Sequence, residues 1–352
     1  MADRLPPRAA VERMAPYSPP TSGRAGKLRL DFNENTVGCS PRVIELLTQK
    51  LNAETLTIYP EYEATRAALA EYFQLPESQF LLSNGTDEAI QVLVNTYVDD
   101  GDEVIILHPS YAMYRFYSEV AGARIVSLDY RPADLSFPVD ELLAAITPRT
   151  RAILISNPNN PTGTAIGVGP IVQILERAPH AAVLLDEAYY EFCGITGLRL
   201  IEQYPNLFVS RTFSKAFGMA ALRVGCLFSQ PDNIRYAHKA QSPYSVNLLA
   251  AIAVRAAVED TRFLNHYVEQ ALAARGDLYA GFTSRGIHAY PSQANFVLFR
   301  AGERAISVRD GLRDRGVLVR DRSYEIAGCV RVTAGTPAQV ERFFAALDEV
   351  WS

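Results

Sequence analysis

The chain has 352 residues, 48% hydrophobic and 21% charged, with 34 Lys and Arg against 39 Asp and Glu. A net charge of -5 leaves no basic excess to neutralise a phosphate backbone, which argues against a nucleic-acid binder. No apolar run approaches the roughly 20 residues of a membrane helix. Four cysteines (Cys39, Cys193, Cys226, Cys329) form no C-x-x-C pair, so the usual zinc and thioredoxin signatures are missing and no metal is expected. With no secretory h-region in MADRLPPRAAVERMAPYSPP, a reduced, cytoplasmic, globular protein is expected.

Residues 1–27 are rich in Pro, Arg and Ser and lack periodicity, so they read as an extended arm. Its aromatic, Tyr17, is within reach of a site on this chain or on a partner. From residue 79 onward, short apolar runs recur at FLLS (80–83), EVIIL (103–107), RIVSL (124–128), AILIS (152–156), AVLLD (182–186), LFVS (207–210) and RVGCLF (223–228). Helical periods lie between several of them; Ala89, Ile90, Leu93, Val94 and Tyr97 form one apolar stripe. The alternation predicts an α/β fold, a mostly parallel seven-stranded sheet with helices on both faces. Such sheets place ligands at the carboxyl ends of their strands.

The texture changes near residue 245. One long helical stretch is expected from Val246 to Ser284, then short strands near AYPSQANFVLF, VLVR and CVRVT. A last helix starts with Thr336 as N-cap and Pro337 at its first position, and Val340, Phe343, Phe344, Leu347 and Val350 form its inner face. The expected organisation is an arm (1–27), a large domain (52–245) and a smaller α+β domain (28–51 and 246–352).

Three segments with chemistry follow predicted strands. NPNNPTG (157–163) carries more turn residues than a crossover requires. Asp186, followed by Glu187, ends a buried strand, where a carboxylate is costly unless a cation or donor meets it; a helix cap or an internal ion pair would also explain it. SRTFSKAFGMAALR (210–223) holds Lys215 after Thr212 and Ser214, with Arg223 eight residues further on. Asn160, Asp186 and Lys215 are 26 and 29 residues apart, about one strand-helix-strand unit each, so the three loops meet along one sheet edge. An amine for a Schiff base and a carboxylate for a pyridinium nitrogen are what pyridoxal phosphate requires.

With NPNNPTG, DEAYYEF and SKAFGMAALR in this order, the sequence resembles the fold-type I pyridoxal-phosphate aminotransferases, and among them the histidinol-phosphate aminotransferases. The resemblance spans nearly the whole chain, from DFNEN (31–35) to RVTAGT (331–336). It implies that Lys215 forms the Schiff base, that Asp186 pairs with the pyridinium nitrogen, and that Asn160 and Tyr189 bond the phenolic oxygen. Tyr111 would stack on the ring. Gly85, Thr86 and Asp87, opening a helix, would hold the phosphate with Thr212, Ser214, Arg223 and, from a neighbouring subunit of a homodimer, Tyr59. Tyr17, Asn35, Arg320 and Arg331 would face the substrate, Arg320 and Arg331 at its phosphate or carboxylate. The implied reaction takes histidinol phosphate and 2-oxoglutarate to imidazole acetol phosphate and glutamate. Phenylalanine or tyrosine as donor, a threonine-phosphate decarboxylase and a non-catalytic cofactor-binding regulator are the alternatives. The NEN segment continues as Thr36, Val37, Gly38 where the family often has Pro, a departure at the border of the substrate pocket.

Overall fold

The computed structural model describes residues 5–16 and 22–351. The N-terminal part supplies α1 (Ala9–Glu12), β1 (Leu28–Arg29), α2 (Pro41–Lys50) and α3 (Glu63–Phe73). The arm is therefore not wholly extended: α1 is a single turn lying beside a helix of the large sheet. Tyr17 lies outside the described residues.

The large sheet follows as β2 (Phe80–Ser83), α4 (Gly85–Tyr97), β3 (Glu103–His108), α5 (Ala112–Ala121), β4 (Arg124–Asp129), α6 (Val139–Ala145), β5 (Thr150–Ser156), α7 (Val168–Arg177), β6 (Ala182–Asp186), β7 (Leu207–Thr212) and β8 (Gly225–Phe228). Its strand order is β2-β8-β7-β6-β5-β3-β4, parallel except for β8, which runs antiparallel to both neighbours. All seven predicted apolar runs are these seven strands. Alternate residues go to opposite faces, and both faces are covered. Ile153, Ile155, Val183 and Val209 join one core, while Ala152, Leu154, Leu184 and Phe208 join the other with the predicted stripe of α4.

The C-terminal part contains α8 (Pro231–Ala240), α9 (Leu248–Glu259), α10 (Thr261–Ser284), β9 (Phe296–Arg300), α11 (Ala305–Asp314), β10 (Val317–Leu318), β11 (Arg320–Asp321), β12 (Cys329–Thr333) and α12 (Pro337–Trp351). The single helix expected over 246–284 is two helices. Asp260 breaks it, its carboxylate accepting from the Phe263 amide at 3.3 Å and from the Ser40 hydroxyl at 2.5 Å. An Asp at an N-cap satisfies an amide that would otherwise lack a partner, which favours restarting the helix there. The VLVR segment also divides: β10 pairs with β1, whereas β11 joins the antiparallel sheet β11-β12-β9. The third core comprises Leu278, Phe282, Phe299, Val332 and Phe343. Leu264, Tyr267 and Ala271 of α10 belong instead to the large-sheet core. Helix α10 therefore contributes to both cores, as does β9, whose Phe296 and Leu298 join the large-sheet core while Val297 and Phe299 join the third. Among the described residues, no helix is long and apolar enough to cross a membrane.

Candidate active site

The register of β5, β6 and β7 puts Ser156 beside Asp186 and Asp186 beside Ser210. The loops leaving the three strands therefore emerge together. In the first, two of the three asparagines hold the loop's shape. Asn157 exchanges both amide hydrogen bonds with the backbone of Ile166, and Asn159 donates to the Pro109 carbonyl and accepts from Ser110. Only Asn160 faces the cavity, where its amide oxygen accepts from Arg331.

Asp186 and Glu187 turn opposite ways. Glu187 is the internal ion pair: it accepts from Arg211 at 2.7 Å, from Thr196 at 2.9 Å and from the Gly197 amide at 2.6 Å. Asp186 lines the cavity and accepts from the hydroxyls of Tyr114 at 2.7 Å and Ser210 at 2.8 Å. No cation faces it. Burial pushes its pKa up to about 6, although both hydrogen bonds pull the other way. A cationic group entering the cavity could pair with this carboxylate.

Lys215 reaches the same cavity from the β7–β8 loop and donates to the Phe32 carbonyl at 2.9 Å. Burial, then the positive charge of Arg331, pushes its pKa down to about 8. A fraction of the amine is therefore free near neutrality. The loop is seated by close backbone contact: a Cβ on Gly218, at φ +71°, would lie 2.4 Å from the Gly38 carbonyl.

The cavity encloses about 270 Å³. One end is an anion cup. Helix α4 begins at Gly85 with no side-chain cap, so its first N–H groups and dipole face the cavity end formed by Thr86 and Asp87. Arg223, in the left-handed region at φ +55°, donates to Ser214 at 3.3 Å and to Asp87 at 3.2 Å. A Cβ on Gly85 would meet the Arg223 guanidinium at 2.4 Å, so glycine is what lets these groups close round an anion. Tyr111 lines one wall and donates to Asp87 at 2.6 Å. Tyr189 also lines the cavity, its hydroxyl accepting from Asn33 at 2.9 Å.

Ten of the expected residues thus share one cavity: Thr86, Asp87, Tyr111, Asn160, Asp186, Tyr189, Thr212, Ser214, Lys215 and Arg223. Others stand elsewhere. Asn35 does not line it; its oxygen accepts from the Val37 and Gly38 amides and its nitrogen donates to Ala216. That amide braces the lysine loop. Arg331 is buried behind the wall, donating to the Asp31 carbonyl at 2.6 Å. Arg320 sits outside the wall, its guanidinium 5.4 Å from the Phe32 ring centre. Tyr59 is 74% exposed and stacks on Tyr244, away from its own chain's cavity. Sequence reasoning missed Tyr114, Ser210, Phe32, Glu34 and Arg24. Of these, Tyr114 was the most accessible, one helical turn after Tyr111.

A model of the family described as aminotransferase class I and II matches residues 25–347. The chain belongs to the class I and II aminotransferases. It is 38% identical to the histidinol-phosphate aminotransferase of Symbiobacterium thermophilum, with 97% of each chain covered. It is 34% identical to histidinol-phosphate aminotransferase 2 of Methylococcus capsulatus, over 97% of this chain and 96% of the relative. The aminotransferase fold also superimposes with a TM-score of 0.90 on histidinol-phosphate aminotransferase from Sinorhizobium meliloti, crystallised with pyridoxal-5'-phosphate. That pair is 24% identical over 99% and 98% of the two chains, a likeness of fold. In this aminotransferase, the loops leaving β5, β6 and β7 of the mostly parallel sheet line the cavity.

Proposed function

We propose that this aminotransferase binds pyridoxal 5'-phosphate and moves the amino group of L-histidinol phosphate to 2-oxoglutarate. The observation that carries the cofactor reading is the common cavity: a half-buried amine, a buried carboxylate without a cation, and an anion cup. Bound there, the cofactor supplies an electron sink for the negative charge that develops at the substrate Cα.

The chain's residues have separate tasks. Lys215 would hold the cofactor's aldehyde carbon and, once freed as an amine, would carry the proton from the substrate Cα to the cofactor's C4′. Asp186 holds a proton on the pyridine nitrogen, and Tyr114 and Ser210 fix the carboxylate that does so. Asn160 and Tyr189 would bond the cofactor's phenolic oxygen, and Tyr111 would stack on its ring. Gly85, Thr86, Asp87, Thr212, Ser214 and Arg223 hold the phosphate, joined by Tyr59 from the second subunit of a homodimer. Its 74% exposure supports that placement.

The curated relatives support histidinol phosphate as the donor. So does the pairing of Arg320 with Arg331 across β11 and β12, which sets two guanidinium groups against Phe32 and Asn160 of the cavity lining, where an anionic group is favoured. One observation favours the aromatic alternative: the Phe32 ring lines the cavity, and Arg320 lies beyond it.

The half-reaction tests the proposal. Histidinol phosphate without any acceptor should bleach the visible absorbance of the cofactor-loaded enzyme, and 2-oxoglutarate should restore it. Lys215→Ala should abolish both changes, since base catalysis alone contributes roughly 10²–10⁴-fold. Bleaching by phenylalanine but not by histidinol phosphate would refute the substrate assignment.

A further inference from the structure

Asn33 is buried, with φ +56°, a conformation that asparagine tolerates better than most residues. It joins two parts of the molecule. Its carbonyl accepts from Asn295 at 3.2 Å and its backbone amide donates to the Thr333 hydroxyl at 3.1 Å, both outside the large sheet. Its side-chain nitrogen donates to the Tyr189 hydroxyl at 2.9 Å, on the cavity wall.

The Thr333 hydroxyl fixes which way the amide faces. That hydroxyl accepts from the Asn33 backbone at 3.1 Å and donates its own proton to the Asn33 side-chain oxygen at 3.3 Å. With the oxygen turned to Thr333, the amide nitrogen must point at Tyr189. A phenol has one proton. Since Asn33 donates to its oxygen, the Tyr189 proton cannot be used on Asn33 and is left for the cavity.

We propose that Asn33 is a positioning residue that directs the Tyr189 hydroxyl proton into the cavity, making Tyr189 a hydrogen-bond donor to the cofactor's phenolic oxygen. The inference rests on the cofactor reading above. A donated hydrogen bond stabilises the anionic form of that oxygen, so losing it raises the pH at which the bound cofactor loses its proton. The charged groups acting on Tyr189 are Arg331 on β12, Asp186 on β6 and Arg322 in the β11–β12 connection, with the Lys215 amine 5.9 Å from its ring. None of them is altered by the test.

The experiment is a pH titration of the cofactor's visible absorbance in the loaded enzyme, with cofactor retention measured by dialysis. Tyr189→Phe should raise the midpoint by roughly one pH unit, the equivalent of one hydrogen bond. Asn33→Asp keeps the shape and tolerates the positive φ, but its carboxylate only accepts, so it should capture the Tyr189 proton and give a similar rise. Asn33→Gly, which loses the contact without capturing the proton, should move it less. The double variant Tyr189→Phe with Asn33→Asp should shift no further than Tyr189→Phe alone. If the midpoint of Asn33→Asp stays at the wild-type value, or if the double variant shifts by the sum, the proposal is overturned, the latter because the new charge would be acting directly. Should Asn33→Asp fail to fold, Thr333→Val, which lets the amide turn over, must raise the midpoint, and no movement overturns the proposal. A wild-type enzyme that retains no absorbing cofactor refutes the cofactor reading itself.

Discussion

Arg320 and Arg331 are direct partners across the β11–β12 ladder, two like charges opposite each other on antiparallel strands. Such a pair is destabilising unless something else meets the charge. Arg331 is partly answered by the Asp31 carbonyl and Asn160, and burial followed by the Arg322 charge lowers its pKa to about 10. The Arg320 guanidinium makes no ion pair among the described residues and rests over Phe32. An anionic substrate group beside Phe32 would be met by Arg320.

Arg320→Ala is therefore expected to reduce kcat/KM for histidinol phosphate by roughly 10–150-fold, the loss of one charged hydrogen bond of about 1.5–3 kcal/mol. The rate with phenylalanine should change far less. Steady-state kinetics with both donors check this; an equal fall would mean that Arg320 does not read the phosphate.

Asp186 makes the cofactor-free protein sensitive to pH. Its pKa rises from 3.8 to about 6 on folding, chiefly through burial. Between those values the folded chain binds more protons than the unfolded one, so stability falls as pH rises through the window and is level above it. The cost is on the order of 3 kcal/mol once the group is ionised. Asp186→Asn should remove this dependence. Without cofactor the variant should gain stability relative to wild type on going from pH 4 to pH 7, while losing transamination. Urea unfolding at the two pH values provides the measurement, and parallel curves would show that Asp186 is not the group responsible.

Tyr59 provides a test of assembly. Lys215→Ala and Tyr59→Ala proteins should each be impaired. If Tyr59 serves the neighbouring subunit, unfolding and refolding them together produces mixed dimers in which one site carries both changes and the other neither. Activity should return in the mixture, to about a quarter of wild type for statistical mixing with one intact site per mixed dimer. No recovery, or full activity in a sedimenting monomer, would place Tyr59 outside a shared site.

Much of this architecture was legible in the sequence because its signals are local. Seven apolar runs became seven strands, and loop spacings of 26 and 29 residues became adjacent β-strand ends. What was not legible depends on three-dimensional neighbours. Nothing in VLVRD reveals that Val317–Leu318 and Arg320–Asp321 pair with different partners. In DFNEN, Asn33 and Asn35 look equivalent, yet Asn33 holds Tyr189 and Asn35 holds the lysine loop. The break at Asp260 had a local signal, an Asp-Thr cap, but helical periodicity on either side hid it.

Comparing kcat/KM for histidinol phosphate and phenylalanine, each with saturating 2-oxoglutarate, tests the central claim most directly. A preference for histidinol phosphate of roughly tenfold or more is expected, since a phosphate gains at least one charged hydrogen bond that a phenyl ring cannot make. Equal values, or a preference for phenylalanine, would contradict the assignment while leaving the aminotransferase chemistry of Lys215 and Asp186 intact.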